Sequence, residues 1–376
     1  MTIRFIHTSD WQIGKPFRNF EERVAGKLES ARVSVIDRIA GICAERQVRH
    51  VLVAGDVYDN DVIAHVTLMQ PVHRMARAEH VTWWLLPGNH DPARSQGIWH
   101  RLKQEDLPGN IRVLDTGQPV ELEAGVWLLP APLVAQSVAE DPTAWMNHAE
   151  TPAGAVRIGL AHGSVRGFGS AQESSVSIDP DRARQARLDY LALGDWHGRR
   201  RENARTHYSG TPEPDRFPDN TPGLVLLVSI DAAGVEPQVE DIASASFVWA
   251  KRDYLISATD DLGSIEREID KLADDPGQLV LRLTLAGRMA LQDIGAIEEW
   301  CAALEAKLQF LKADLSGLLP VCDDDFELFD GSNELAQAAA FLGEIASDDN
   351  DARQGTAAAA LARLAAIARQ ELAGDQ

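Results

Sequence analysis

Residues 50–59 read His-Val-Leu-Val-Ala-Gly-Asp-Val-Tyr-Asp, and the fold follows from this stretch. An apolar run of this length, bounded by a turn signal, reads as a strand covered on both faces. It stops at Gly55-Asp56, where glycine lets the backbone turn tightly and an acid follows at once. The same ending recurs along the chain. Ile3–Thr8 runs into Ser9-Asp10, and Val81–Leu86 runs into Pro87-Gly88-Asn89-His90-Asp91. Val156–Ala161 ends at His162, and Tyr190–Leu193 ends at Gly194-Asp195-Trp196-His197. Five strands thus finish in polar side chains, and in open α/β sheets the working residues gather at the carboxyl ends of strands.

Two helical patterns lie between the first three strands. About Phe20 to Arg46, Val24, Leu28, Ala31, Val35 and Ile39 repeat at three- and four-residue spacing, and a second helix spans about Val66 to Ala78. After Gly109-Asn110 the chain changes to short strands: Ile111–Leu114, Pro119–Leu122 and Val126–Leu129, with His207–Gly210 and Leu224–Ile230 further on. A β-α-β-α-β opening followed by strand-rich sequence predicts an α/β class, with two sheets face to face and helices outside, over residues 1–240. Residues 241–322 predict a small α+β domain, with strands at Phe247–Ser257 and Gln278–Ala286 and helices at Gly263–Leu272 and Leu291–Leu311. Residues 323–376 form an acidic and then Ala-rich tail, expected to hold helices at Glu334–Ile345 and Ala357–Leu372. The second of these carries an apolar stripe suited to its own chain or to a partner.

The 376 residues are 45% apolar and 25% charged, which excludes wholesale disorder. No window is apolar enough for a membrane span. The N-terminus reaches His7-Thr8-Ser9-Asp10 too soon for a signal peptide, and Cys43, Cys301 and Cys322 have no CxxC spacing. A reduced, cytoplasmic protein is expected. The net charge of −21 is uneven: residues 1–240 carry 25 basic and 31 acidic side chains, residues 241–376 carry 11 and 26. The acid excess lies mainly in the last third, so a basic face on the first part stays open.

The polar strand ends supply carboxylate, amide and imidazole donors and no thiolate: Asp10 and Gln12, Asp56 and Asp59, Asn89, His90 and Asp91, His162, Asp195 and His197. Such a set suits Mn, Mg, Fe or Zn. Asp56, following a buried strand and a glycine, is the natural bridge between two cations, the arrangement known for in-line displacement at phosphorus.

The ordered set Asp10-x-Gln12, Gly55-Asp56-x-x-Asp59, Gly88-Asn89-His90-Asp91, His162 and Gly194-Asp195-Trp196-His197 resembles the calcineurin-like metallophosphoesterases. Phe5-Ile6-His7-Thr8-Ser9-Asp10-Trp11-Gln12-Ile13-Gly14, with Leu86-Pro87-Gly88-Asn89-His90-Asp91-Pro92, is similar more narrowly to the DNA repair exonuclease branch, the SbcD-type nuclease subunits. The resemblance covers about residues 1–230. It implies an αββα metallophosphoesterase sandwich, a small capping domain, and a DNA exonuclease, with endonuclease action left open. It also implies a homodimer and an SMC-like coiled-coil ATPase partner. Position by position, it implies one metal held by Asp10, Gln12, Asp56 and His197. The second would be held by Asp56, Asn89, His162 and Asp195, with His90 as acid beside the phosphoryl group, Asp91 orienting His90, and Asp59 alongside. The family carries His where Gln12 and Asp195 stand. The added carboxylate and amide tilt the site toward Mn²⁺, with Mg²⁺ or Fe²⁺ also suited. On residues alone, two other readings stay open: a phosphatase or phosphodiesterase for small or protein substrates, and a DNA-end-binding scaffold with a weakened site.

Arg199-Arg200-Arg201 and Arg205 follow the last metal-type turn. They read either as phosphate-gripping side chains for DNA or as a solvated loop paired with nearby acids. Arg182, Arg184 and Arg187 read more simply as a charged helix face. Trp83, Trp84 and Trp99 read as core, with an exposed Trp99 able to stack on a base.

Overall fold

The computed structural model describes residues 2–167, 176–217, 221–320 and 334–348, and short pieces between 351 and 364. Its contacts divide the chain into two units, Met1–Phe247 and Val248–Gln376.

The first unit contains two six-stranded sheets. In the first, the strands lie in the order Gln238–Ala243, Leu224–Ile230, Ile3–Thr8, His50–Val53, Thr82–Leu85, Ile111–Val113. The last four run parallel, and Leu224–Ile230 lies antiparallel to Ile3–Thr8. The second sheet has the order Arg200–Arg201, Thr206–Tyr208, Tyr190–Gly194, Val156–His162, Val126–Ala131, Val120–Glu123. Its four middle strands are parallel.

Side chains alternate across each strand, and that period of two builds the layers. Ile6, Val51, Val53, Trp83 and Leu85 face outward into a core with Val35, Ile36 and Ile39 of the helix Glu22–Arg46 and with Leu68 and Val72 of the helix His65–Arg77. Their neighbours Phe5, Leu52, Trp84 and Leu86 face inward and meet Leu128, Ile158, Leu160 and Tyr190 of the second sheet. On the far side, Leu129, Ala161, Leu191 and Leu193 are covered by Met146, Ala183, Ala186 and Leu188. The expected two-sheet sandwich with outer helices is therefore the fold observed.

The second unit is a three-stranded parallel sheet, Val248–Leu255, Leu279–Met289 and Phe310–Pro320, with the helices Leu262–Ile269 and Leu291–Lys307 as crossovers. The helix expected to reach Leu311 ends at Lys307. Leu304, Leu308 and Leu311 imitate a helical stripe, but Phe310 and Leu311 belong to a strand paired with Val280 and Leu281. Helix Glu334–Ser347 lies where a helix was expected, whereas most of Ala357–Leu372 lies outside the described residues. Among the described residues no helix is long and apolar enough to cross a membrane.

The two sheets of the first unit touch at the carboxyl ends of their parallel strands. Gly194, which pairs with His162 in the second sheet, lies against the first. A Cβ there would run into the Ala54 carbonyl and would stand 2.8 Å from His162 Nδ1. Gly194→Ala should therefore force the sheets apart at this end, at a cost of about 1–3 kcal/mol. A lowered thermal midpoint is expected, and an unchanged midpoint would contradict the contact.

Candidate metal centre

Four residues at this pole hold left-handed backbone although none is glycine: Asp10 (φ 54°), Gln12 (φ 44°), Asp56 (φ 53°) and Asp195 (φ 98°). Only two other described non-glycine residues, Gln47 and Arg187, share that conformation, so the strain is concentrated among the expected ligands. The loops are held by main-chain bonds from Asp10 N to the Gly55 carbonyl (3.1 Å) and from Gln12 N to the Asp56 carbonyl (2.9 Å). Gly55 itself has φ +90°, and a Cβ there would strike the His162 ring.

These turns bring side chains from both sheets to one point. Asp10, Asp56 and His162 are all buried, and their donor atoms lie within 4.8 Å of one another. His162 Nε2 is 3.5 Å from Asp56 Oδ1 and 3.9 Å from Asp195 Oδ1. Its Nδ1 donates to the Ala54 carbonyl at 2.8 Å, which turns Nε2 toward the acids. The Asn89 amide stands 2.8 Å from His162 Nε2 and 3.2 and 3.3 Å from the Asp56 carboxylate oxygens. Toward the Asp56 oxygens the amide can offer only its nitrogen; toward the Nε2–H of a charged His162, or toward a cation, it offers its oxygen. Asp195 is oriented by Ser164, whose hydroxyl donates to Oδ2 at 2.6 Å, and its own N–H donates to both Asp10 oxygens at 3.2 Å.

Burial alone would lower the His162 pKa. The carboxylates of Asp56, Asp10 and Asp195, with the Ala54 carbonyl, outweigh it and raise the group to about 9. Three acids around one imidazole form a pocket short of positive charge, and its oxygen and imidazole donors fit a divalent cation of the Mn²⁺ or Mg²⁺ class.

His90 is exposed. Its Nδ1 donates to the Asp59 carbonyl at 2.8 Å, leaving Nε2 4.0 Å from Asp56 Oδ2. Asp91, expected to orient His90, instead accepts from Gly88 N (2.7 Å) and Tyr58 N (3.0 Å) and so braces the loop. Burial and the nearby Asp56 charge push its carboxyl pKa up. The main chain of Asp59, not its carboxylate, does the orienting.

On the other side of Asp10, His197 Nε2 is 3.8 Å from Asp10 Oδ1 and 3.2 Å from Gln12 Nε2. Lys15 donates to Gln12 Oε1 at 2.9 Å and to Asp215. Asp215 also faces His197 Nδ1 at 3.4 Å and Arg32 at 3.9 Å, and Arg216 Nη2 lies 2.7 Å from His197 Nδ1. Burial would raise the Asp215 pKa, but His197, Arg32 and Lys15 hold it far below the usual carboxylate range. Lys15, Ser164 and Asp215 were not anticipated. Lys15 sits three residues after Gln12 and was within reach of a closer reading, whereas Asp215 arrives from two hundred residues away and leaves no local signal.

The arginines of the loop turn toward protein acids. Arg199 pairs with Asp241, Arg200 with Glu202 and Arg201 with Glu236. Arg205 binds Asp189 and the carbonyls of Gly234 and Val235 at the amino ends of the second-sheet strands, the opposite pole from the metal-type residues. Arg182 is buried against Asp141, Thr143 and Asn147, and Arg184 pairs with Asp181. Trp99 is 1% exposed and packs against Tyr58, so it offers no face to a base.

A family model described as calcineurin-like phosphoesterase matches residues 3–199. One solved crystal structure aligns at 13% identity over 65% of this chain and 100% of its own, with a TM-score of 0.40. A search of curated proteins gives no match.

The raised His162 pKa carries a sign. Its charge stabilises the cation-free fold below about pH 6.5, and that contribution is lost as pH rises through about 9. A cation competes with the same proton, so added Mn²⁺ should raise the thermal midpoint more at pH 9 than at pH 6.5. An equal rise at both pH values would contradict ligation by His162.

Proposed function

Because the chain belongs to the calcineurin-like phosphoesterase family, whose model spans residues 3–199, we propose that it is a metal-dependent phosphodiesterase acting on DNA. The observation that carries the hydrolytic part is the convergence of Asp10, Asp56 and His162, buried and within 4.8 Å, at the carboxyl ends of parallel strands from two sheets. These residues, with Asn89 and Asp195, would hold a divalent cation, which when bound would supply a Lewis acid for a phosphoryl oxygen and lower the pKa of a water.

The chain's own groups do the rest. His90 is exposed beside Asp56, with its ring direction set by the Asp59 carbonyl. From Nε2 it protonates the leaving oxygen, or stabilises charge on the phosphoryl group. Asp91 keeps the Gly88–His90 turn in place through two backbone N–H groups. Ser164 holds the Asp195 carboxylate, and the Asp195 N–H holds that of Asp10.

DNA as the substrate, exonuclease action, a homodimer and an SMC-like ATPase partner are proposed from the resemblance of the motifs around Asp10, Asp56 and Asn89. A second reading, a small phosphodiester substrate, draws support from the pairing of Arg199, Arg200, Arg201 and Arg205 with acids of the protein.

Cleavage of an end-labelled linear duplex in Mn²⁺ separates the two readings. The intact protein should shorten the duplex, and Asn89→Ala should abolish cleavage while the fold is kept. His90→Ala should retain the metal and lose roughly 10²–10⁴-fold in rate. Turnover of a small aryl phosphodiester without any DNA cleavage would favour the second reading. Full activity in Asn89→Ala would contradict the ligand assignment.

A further inference from the structure

Asp10 has two carboxylate oxygens, and their surroundings differ. Oδ2 accepts from the Ser9 hydroxyl at 2.5 Å, a length typical of a hydroxyl on a charged oxygen. Oδ1 has no hydroxyl partner among the described residues. It shares the Asp195 N–H with Oδ2, at 3.2 Å each, and lies 3.8 Å from His197 Nε2. Ser9 has one proton to give, and Asp10 takes it. The Ser9 oxygen then accepts from Ser209 Oγ, which stands 2.9 Å away. The Gly210 carbonyl competes for these protons from 3.4 Å of Ser9 and 3.2 Å of Ser209, but it is farther away and uncharged. The donors therefore run in series, from Ser209 to Ser9 to Asp10. All three side chains are fully buried, so bulk water does not interrupt them. The series also crosses between the sheets. Ser9 follows the strand Ile3–Thr8 of the first, and Ser209 follows Thr206–Tyr208 of the second. Beyond Ser209 the chain braces the His197 turn: Thr211 N donates to the His197 carbonyl at 3.0 Å, and a Cβ on Gly210 would stand 2.7 Å from the Gly198 carbonyl carbon.

We propose that Ser9 and Ser209 are positioning residues of the cation site: their two hydroxyls hold Asp10 Oδ2 and so leave Oδ1 for the cation. This deepens the phosphodiesterase reading and rests on it. Neither serine touches cation or substrate; both act through Asp10. Held this way, the carboxylate is fixed before a cation arrives, and binding does not have to order it. A series of donors differs from two separate hydrogen bonds in one respect. Once Ser9 is lost, Ser209 has nothing to pass on to Asp10, so its own removal costs no further affinity.

The test is calorimetric titration with Mn²⁺ of the full chain, stripped with chelator and dialysed. Circular dichroism and the thermal midpoint of the cation-free chain follow folding separately. Ser9→Ala should bind Mn²⁺ about 10–100-fold more weakly than the intact chain. Ser209→Ala should also weaken binding, by a smaller factor, and the double variant should match Ser9→Ala. Unchanged affinity in Ser9→Ala, even with a lowered midpoint, would mean a merely structural serine; it would overturn the proposal and leave the cation site standing. Losses that multiply in the double variant would overturn the serial arrangement. Should Ser9→Ala not fold, Ser209→Ala decides alone, and unchanged affinity there overturns the proposal. No Mn²⁺ uptake by the intact chain would overturn the phosphodiesterase reading and the proposal with it.

Discussion

His162 reaches from the second sheet to the main chain of the first, donating through Nδ1 to the Ala54 carbonyl at 2.8 Å. Much of the site depends on that bond. It needs two strands from different sheets to end at the same level, and it needs Gly55 and Gly194 where any side chain would collide with the imidazole or with Ala54. Once it is made, the other ring nitrogen points toward Asn89, Asp56 and Asp195. The apolar layer beneath, from Phe5 and Leu52 to Ile158 and Leu160, keeps the two sheets in contact and keeps water out from below.

The cost of this arrangement is visible in the backbone. Asp10, Gln12, Asp56 and Asp195 all occupy a conformation that side chains disfavour, at roughly 1–3 kcal/mol each. Such strain persists only where neighbouring structure imposes it. Here the neighbours are the paired strands on one side and loop bonds such as Asp10 N to Gly55 O on the other. The negative acids hold a proton on His162 despite its full burial, whereas burial first and the Asp56 charge second push the Asp91 carboxyl pKa up. On the opposite side the balance is met by protein charges, Lys15 and Arg32, around Asp215.

Much of the first unit could be read from residue order because its strands are apolar on both faces and stop abruptly at polar turns. His50–Val53 and Leu224–Ile230 are runs of this kind, and both are strands. The edge strand Gln238–Ala243 escaped notice because it is largely exposed and polar, so it has no apolar signature. The helix expected to run to Leu311 takes in Phe310 and Leu311, the start of the strand Phe310–Pro320, because a short apolar run fits both periods until its pairing partner is known. At the site, the donor residues were legible as strand endings, but their second partners were not. Asp91 beside His90 suggested contact by adjacency, whereas the turn carries its carboxylate inward to Gly88 and Tyr58. The arginine run likewise suggested a phosphate grip, since the sequence does not reveal that Asp241, Glu236 and Asp189 lie beside it.

The central claim is that the buried acids and His162 hold a divalent cation for phosphodiester hydrolysis. The most direct measurement is the rate at which the chain hydrolyses a small aryl phosphodiester before chelation, after chelation and dialysis, and after Mn²⁺ is restored. Activity should vanish on stripping and return with Mn²⁺ in the intact chain but not in Asp56→Asn. Turnover that survives stripping, or that returns equally in Asp56→Asn, would contradict it.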